Sequence, residues 1–166
     1  MQFEIRAADA PVPGAPAVPA LSPCARVCAH NGKMLNQYPV DAFIATRDPQ
    51  KARAFYEGTL GLQLLSDELP FALVFNANGT MLRVTPVREL RAAEYTVLGW
   101  EVADAAAEAR ALTALGVAFL RIPGFAQDEW GVWSAPGGAK VAWFKDPDGN
   151  TLSISEHPVT PPPDCG

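Results

Sequence analysis

The chain has 166 residues, of which 49% are hydrophobic, and its formal net charge is −5. This length and apolar fraction suffice for a buried core, in one domain or in two small fused modules. The acidic charge and the lack of a basic cluster argue against nucleic acid and membrane surfaces as partners. No apolar run is long enough to predict a transmembrane helix, so we expect a cytoplasmic protein.

Residues 1–33 differ in composition from the rest of the chain. Alanines and five prolines interrupt every periodic pattern, so we predict a flexible leader. Acidic Glu4 and Asp9 stand where a secretory signal would carry basic residues. Cys24 and Cys28 are spaced like half of a zinc knuckle, but a second pair of ligands is missing, so no metal site is predicted there.

The structured domain is predicted to span residues 34–157, followed by a loose, proline-rich tail at 158–166. Met34 coincides with the beginning of the regular pattern, which makes it a candidate start of the native protein. The sequence leaves open whether residues 1–33 belong to the native protein, and mass spectrometry of that protein would decide.

A β-α-β-β-β pattern begins at Val40. Alternation up to Thr46 predicts a first strand. Asp48 followed by Pro49 is typical of a helix N-terminus, because aspartate caps free N–H groups and proline is tolerated at the first helical position. Gly61 is placed to end this helix. Three strands follow, beginning at Gln63, Phe71 and Met81, with a turn at residues 76–79 between the last two.

The same pattern then repeats. Asp104 and Gly116 stand 12 positions apart (116 − 104), much as Asp48 and Gly61 stand 13 apart (61 − 48), and ALGVAFL matches TLGLQLL in place. We therefore predict an internal duplication and an α+β fold. Module one spans residues 38–88 and module two spans residues 95–157. Strands of module two are predicted at residues 96–102, 117–121 and 131–134, and in a closing hairpin.

The closing hairpin contains the turn DPDG at residues 146–149. Proline presets its own φ in this turn, and glycine accepts a left-handed conformation. After the turn, Leu152 and Ile154 alternate with Ser153 and Ser155, which gives one apolar and one polar face. Such a hairpin indicates a sheet with helices behind its apolar face and a cleft in front of its polar face.

In order and spacing, these elements resemble the vicinal oxygen chelate superfamily, which includes glyoxalase I, extradiol dioxygenases, and fosfomycin- and bleomycin-resistance proteins. The likeness rests on RDPQKARAFYEGTLGL, VADAAAEARALTALGV and FKDPDGNTLSIS. It implies two tandem βαβββ modules that form a curved mixed sheet around a cleft, with helices on the outer face, usually completed in a homodimer. It says little about the reaction, because such folds host several activities.

Members of the superfamily that use a metal place His, Glu or Gln ligands on the first and last strands of each module. Carried over one by one, these positions fall on Asp41, Arg83, Val97 and Ser153. Arginine cannot ligate a cation, valine has no donor and serine is a weak ligand, so we predict no metal and no other cofactor. A two-residue register error would bring in Glu101, Ser155 or His157, which complete no ligand set.

Strand alternation also predicts which residues face the cleft. Trp100, in the opposite phase, is predicted to be core, as are Phe55 and Tyr56. The loop that holds Trp130 and Trp133 either stacks on a planar ligand or plugs its own module. Arg83 and Glu101 either pair across the modules or bind polar groups of a ligand. The predicted ligand-binding residues are Asp41, Phe43, Arg83, Glu101, Trp130, Trp133, Ser153 and Ser155.

These residues favour a metal-independent protein that binds an apolar or aromatic small molecule in its cleft. The alternative is a metal-dependent glyoxalase-like lyase or ring-cleaving dioxygenase with non-standard ligands, and the sequence does not decide whether the chain is an enzyme. A third interpretation, an interaction subunit without a ligand, requires a cleft packed shut by Phe43, Trp130 and Trp133. We also predict a homodimer of twice the 17.7 kDa chain mass, which light scattering would test.

Overall fold

A computed structural model describes residues 34–158 of the chain. The chain divides into two units, Met1–Tyr38 and Pro39–Gly166. The described part of the first unit contains one 3-10 turn, Leu35–Gln37. The predicted leader, with its two cysteines, and residues 159–166 of the predicted tail lie outside the described residues.

Module one has the predicted β-α-β-β-β order. Asp48 caps the first helix, since its carboxylate accepts a hydrogen bond from the backbone N–H of Lys51 at 3.2 Å. This helix, α1 (Pro49–Arg53), continues as a π-helix (Ala54–Thr59). The sheet order is β1-β4-β3-β2, with only the β1–β4 pair parallel. The strands are β1 (Asp41–Thr46), β2 (Gln63–Glu68), β3 (Ala72–Ala77) and β4 (Thr80–Pro86).

Module two repeats this topology, which confirms the predicted tandem fold. The carboxylate of Asp104 accepts two backbone hydrogen bonds at 3.0 Å and caps α2 (Ala105–Ala114). The sheet order is β5-β8-β7-β6, again with one parallel pair, β5–β8. The strands are β5 (Thr96–Glu101), β6 (Trp133–Ser134), β7 (Lys140–Lys145) and β8 (Thr151–Glu156). No helix among the described residues is long and apolar enough to cross a membrane.

The outer edge of the second sheet departs from the prediction. The strand predicted at residues 117–121 is reduced to a single bridge between Phe119 and Phe144, and the one predicted at 131–134 shortens to β6. The side chain of Gln127 explains the gap. Its amide bonds the N–H of Ile122 at 2.7 Å and the carbonyls of Leu120 and Gly131 at 2.9 and 2.7 Å. These hydrogen bonds occupy backbone N–H and C=O groups that would otherwise pair with a neighbouring strand. Residues 121–132 therefore form a loop.

One hydrophobic core joins the two modules. Tyr56, Phe75 and Phe144 are fully buried within it, and the Phe55 ring lies 6.5 Å from the Phe144 ring. Trp100 stacks on Phe144 at a centroid distance of 6.5 Å. The predictions of a core position for Phe55, Tyr56 and Trp100 are thus confirmed, and both helices contribute buried residues to the same cluster.

The turn between β7 and β8 docks onto module one through Asp148. Its carboxylate accepts hydrogen bonds from the hydroxyl of Thr46 and from the backbone N–H of Arg47, the latter at 2.9 Å. Thr46 ends β1 and is buried. The sequence predicts this turn only as the link between two neighbouring strands. In the structure it also contacts a strand about 100 residues earlier in the chain.

Asp146 and Asn150 complete this contact. The Asp146 carboxylate accepts the Tyr56 hydroxyl at 2.9 Å, the backbone N–H groups of Asp148 and Asn150 at 2.9 Å, and the Asn150 amide at 2.8 Å. The same amide donates to the carbonyl of Ala45 at 2.9 Å. Burial raises the pKa of Tyr56, and the charge of Asp146 raises it further, so Tyr56 is a neutral donor.

Candidate functional site

The concave face of the first sheet carries three of the predicted site residues. Phe43 lies opposite Arg83 in the register, and Asp41 lies opposite Met81. The Phe43 side chain is 65% exposed. Alternation along β1 and β4 therefore places these residues on the predicted face, since successive side chains point to opposite sides of a sheet.

Of the two alternatives for Arg83 and Glu101, the ion pair between them is not formed. The Arg83 guanidinium bonds Glu68 of β2 at 2.6 Å, within its own sheet. The hydrogen bond from Arg83, followed by one from the Ser66 hydroxyl, holds the pKa of Glu68 below its usual range. Within residues 34–158, the Glu101 carboxylate forms no ion pair and accepts no hydrogen bond. Arg83 is thus already paired when a ligand arrives.

On the concave face of the second sheet, Gly99 lies opposite Ser153. A Cβ at Gly99 would lie 2.6 Å from the Ser153 hydroxyl oxygen, so a larger residue there requires the Ser153 side chain to move. Glu101 lies opposite Ser155, whose hydroxyl donates to the carbonyl of Trp100 at 3.5 Å. Glu101, Ser153 and Ser155 therefore share one face, as predicted, and Gly99 lies on the same face.

Three aromatic rings cover the outer part of this face. Phe125 stacks on Trp133 with centroids 4.6 Å apart, and both rings contact Trp143, at 5.8 and 6.2 Å. The Trp143 indole donates to the Thr96 hydroxyl at 3.1 Å, which fixes the orientation of the ring. The cluster joins a sheet residue, a short edge strand and the loop at residues 121–132.

Trp130 and Trp133, both predicted to bind the ligand, lie in different surroundings. Trp133 belongs to the aromatic cluster on the concave face, whereas Trp130 packs against the core. Phe43 is exposed on the other sheet. The three residues that the ligand-free interpretation needs in order to close the cleft are therefore not brought together.

A pocket of about 370 Å³ opens beside the aromatic cluster. Its polar wall contains Lys145, whose ammonium group donates to the hydroxyl of Thr151 at 2.7 Å. That hydroxyl in turn donates to the carbonyl of Ala93 at 3.1 Å. The pocket is lined by Glu94, Tyr95, Thr96, Leu120, Ile122, Phe125, Trp143, Lys145 and Thr151.

None of these pocket residues is among the predicted ligand-binding residues. Trp143 and Lys145 could have been predicted to face the pocket, because they alternate along β7 with the core residues Ala142 and Phe144. The sequence gives no comparable indication for Phe125, since its position depends on the path of an irregular loop. The predicted residues of module two and this pocket thus share a face of the sheet, but the sequence did not indicate the residues that line the pocket.

A second cavity, of about 150 Å³, lies on the opposite side of the sheet. It is bordered mainly by core and core-packed side chains, including Trp100, Leu112 and Phe144. Neither Glu101 nor Glu108 at its edge bonds another described side chain. We regard this space as a packing gap between the modules, because neither of its two charged side chains is held by a partner among the described residues.

The four positions that would hold a metal in related proteins do not fit one. Arg83 is a cation already paired with Glu68, and Val97 has no donor atom. Asp41 lies opposite Met81 rather than opposite Arg83, so the two positions on the first sheet do not face each other. Throughout residues 34–158, no group of three or more His, Cys, Asp or Glu side chains could hold a metal ion.

A sequence model of the Glyoxalase/Bleomycin resistance protein/Dioxygenase superfamily matches residues 38–154. This match covers both modules and ends within β8. No curated protein matches the sequence significantly.

Solved structures share the fold at low sequence identity. The lactoylglutathione lyase from Agrobacterium tumefaciens superposes with a TM-score of 0.57 at 17% identity, covering 72% of this chain and 92% of that chain. A glyoxalase/bleomycin resistance protein/dioxygenase from Nocardioides gives 0.59 at 17% identity, covering 86% and 97%. A superfamily member from Sphaerobacter thermophilus DSM 20745 gives 0.57 at 24% identity, covering 72% and 97%. These similarities concern the fold and not the activity.

Proposed function

Because this chain belongs to the Glyoxalase/Bleomycin resistance protein/Dioxygenase superfamily, we propose that it binds a planar aromatic small molecule in the concave pocket of module two, without a metal ion. The observation that carries this proposal is the pocket of about 370 Å³ bounded by the Phe125 and Trp143 rings. Stacking on ordered aromatic rings is a general way to hold a flat apolar ligand.

The chemistry of the remaining positions supports binding without a metal. The residues that stand where related proteins place ligands are an ion-paired arginine, a valine, a serine and one aspartate. One carboxylate does not hold a divalent metal with open positions for a substrate. The homodimer stays a prediction of the sequence, and the exposed Phe43 on the first sheet is a candidate contact for it.

A neutral fluorescent probe, N-phenyl-1-naphthylamine, tests the proposed site. We expect saturable binding with one probe per chain, weakened about tenfold by Trp143→Ala, because a stacking surface is lost. Phe125→Ala should weaken binding in the same direction, and it removes a loop side chain that is 40% exposed, so the fold should persist. Phe43→Ala is the matched control, since it removes an exposed ring from the other sheet.

Three results would contradict the proposal. Loss of binding in Phe43→Ala with full binding in Trp143→Ala would move the site to module one. Elemental analysis that finds one tightly bound metal per chain would reject metal independence. Turnover of the methylglyoxal–glutathione adduct or of catechol with added divalent metal would favour an enzyme instead.

A further inference from the structure

Two lysines of β7 differ in how their charge is neutralised. Lys140, at the start of the strand, bonds the carboxylate of Glu156 at 2.8 Å. Lys145, at the end of the strand, bonds only the neutral hydroxyl of Thr151. No ion pair of Lys145 with any residue in the described range 34–158 is present. One strand therefore presents a paired and an unpaired ammonium group.

The hydrogen bond to Thr151 holds Lys145 at the pocket wall without neutralising its positive charge. The Thr151 hydroxyl gives its proton to the carbonyl of Ala93, so its oxygen is free to accept from Lys145. Thr151 is itself buried, which makes it a firm anchor. An ammonium group has three donors, and two of those on Lys145 have no acceptor among the described residues.

The surroundings of Lys145 favour an anion with an aromatic body. Leu120, Ile122, Phe125 and Trp143 form an apolar wall beside the ammonium group. A charge-assisted hydrogen bond is stronger than a neutral one. Glu94 is the other charged residue of the pocket lining, and no ion pair joins it to Lys145.

We propose that this pocket selects a planar aromatic carboxylate, whose ring stacks on Trp143 and contacts Phe125 while its carboxylate accepts hydrogen bonds from Lys145. This inference rests on the proposed function and adds the class of ligand. Lys145 acts here as a residue that determines specificity, and Glu94 opposes it by repelling the same anion.

Three naphthalenes of similar size test the charge of the ligand: 1-naphthoate, neutral 1-naphthamide and cationic 1-naphthylmethylammonium. Calorimetry at pH 7 and low salt should show roughly fivefold tighter binding of the naphthoate than of the amide, as expected for one partly exposed charged contact. This preference should shrink as salt is added. Lys145→Met should abolish the preference and leave amide binding within about twofold of the parent protein.

Lys140→Met is the matched control, because it removes a lysine from the same strand that is already paired with Glu156. The preference for the acid should survive in this variant. Equal binding of acid and amide by the parent protein would overturn the inference while the proposed function stands. Tightest binding of the cation would also overturn it and would assign the selectivity to Glu94. If neither acid nor amide binds, the proposed function fails and this inference fails with it.

Discussion

The two modules end in equivalent hairpin turns that have different surroundings. The turn between β3 and β4 consists of Asn78 and Gly79, both with positive φ, and its side-chain contact is local, from the Gly79 N–H to Asn76 at 2.7 Å. The turn between β7 and β8 contains Asp146 and Asp148, which are 6% and 9% exposed.

The difference shows what a buried carboxylate needs. Asp146 and Asp148 are tolerated at low exposure because several donors, some of them on module one, satisfy their oxygen atoms. Duplication has thus produced one turn that only reverses the chain and another that fastens the two modules together.

The largest effect should come from Asp146→Ala. The substitution removes the acceptor of four hydrogen bonds and leaves the buried Tyr56 hydroxyl unpaired, so we expect a loss of about 3 kcal/mol in the free energy of unfolding. Asn76→Ala in the other turn removes one exposed hydrogen bond and should cost less than about 1 kcal/mol. Urea denaturation measures both values, and equal losses would remove the distinction between the turns.

Tyr56→Phe should have an intermediate effect, about 2 kcal/mol, because it removes one hydrogen bond to a charged acceptor. It should also change the response to high pH. The folded-state pKa of Tyr56 is raised above the value of about 10 in an unfolded chain. The stabilisation that Tyr56 provides is therefore complete below about pH 10. Above about pH 10 the free energy of unfolding falls by about 1.4 kcal/mol per pH unit, because only the unfolded chain loses the tyrosine proton.

Unfolding measured between pH 9 and about 11 tests this pH dependence. The parent protein should lose stability more steeply than Tyr56→Phe. Tyr95→Phe is the control, because Tyr95 is exposed and its replacement should leave the slope unchanged. Parallel slopes for the parent and Tyr56→Phe would show that Tyr56 ionises in the folded state as it does in the unfolded chain.

The smallest difference should appear at the two turn glycines. Gly79 and Gly149 have φ values of 91° and 88°, so alanine is strained at both, at a cost of about 1 kcal/mol. A Cβ at Gly149 would lie 3.6 Å from Ala92, an ordinary contact, and one at Gly79 would meet nothing within 4 Å. Thermal melts should therefore give similar losses for Gly79→Ala and Gly149→Ala. A clearly larger loss at Gly149 would mean that docking makes the turn backbone less tolerant.

Local patterns in the sequence predicted most of the fold. Strand alternation placed Phe43 and Arg83 on one face and Trp100 in the core, because the direction of a side chain in a strand depends only on its position. The partner of Arg83 was missed for a physical reason. A register shift between Leu64 and Ser66 sets where Glu68 lies, and that irregularity has no marker in the sequence.

The residues that line the pocket were harder to predict from local sequence patterns. Phe125 reaches the aromatic cluster because the hydrogen bonds of Gln127 hold this segment as a loop instead of a strand. Such tertiary contacts leave no periodic pattern in the sequence. The docked turn shows the same limit. Its residues predict a tight reversal, but nothing local indicates that Asp148 would meet Thr46 about 100 residues away.

From the docked turn we also expect the two modules to fold together rather than one at a time. Module one buries the hydroxyl groups of Tyr56 and Thr46, and the carboxylates that accept their hydrogen bonds, Asp146 and Asp148, are synthesised about 100 residues later. During translation, module one therefore waits for the last hairpin before its polar contacts are complete. A fragment cut at the linker between the modules would expose half of a shared core and leave these hydroxyls without their acceptors, so we expect neither half to be stable alone.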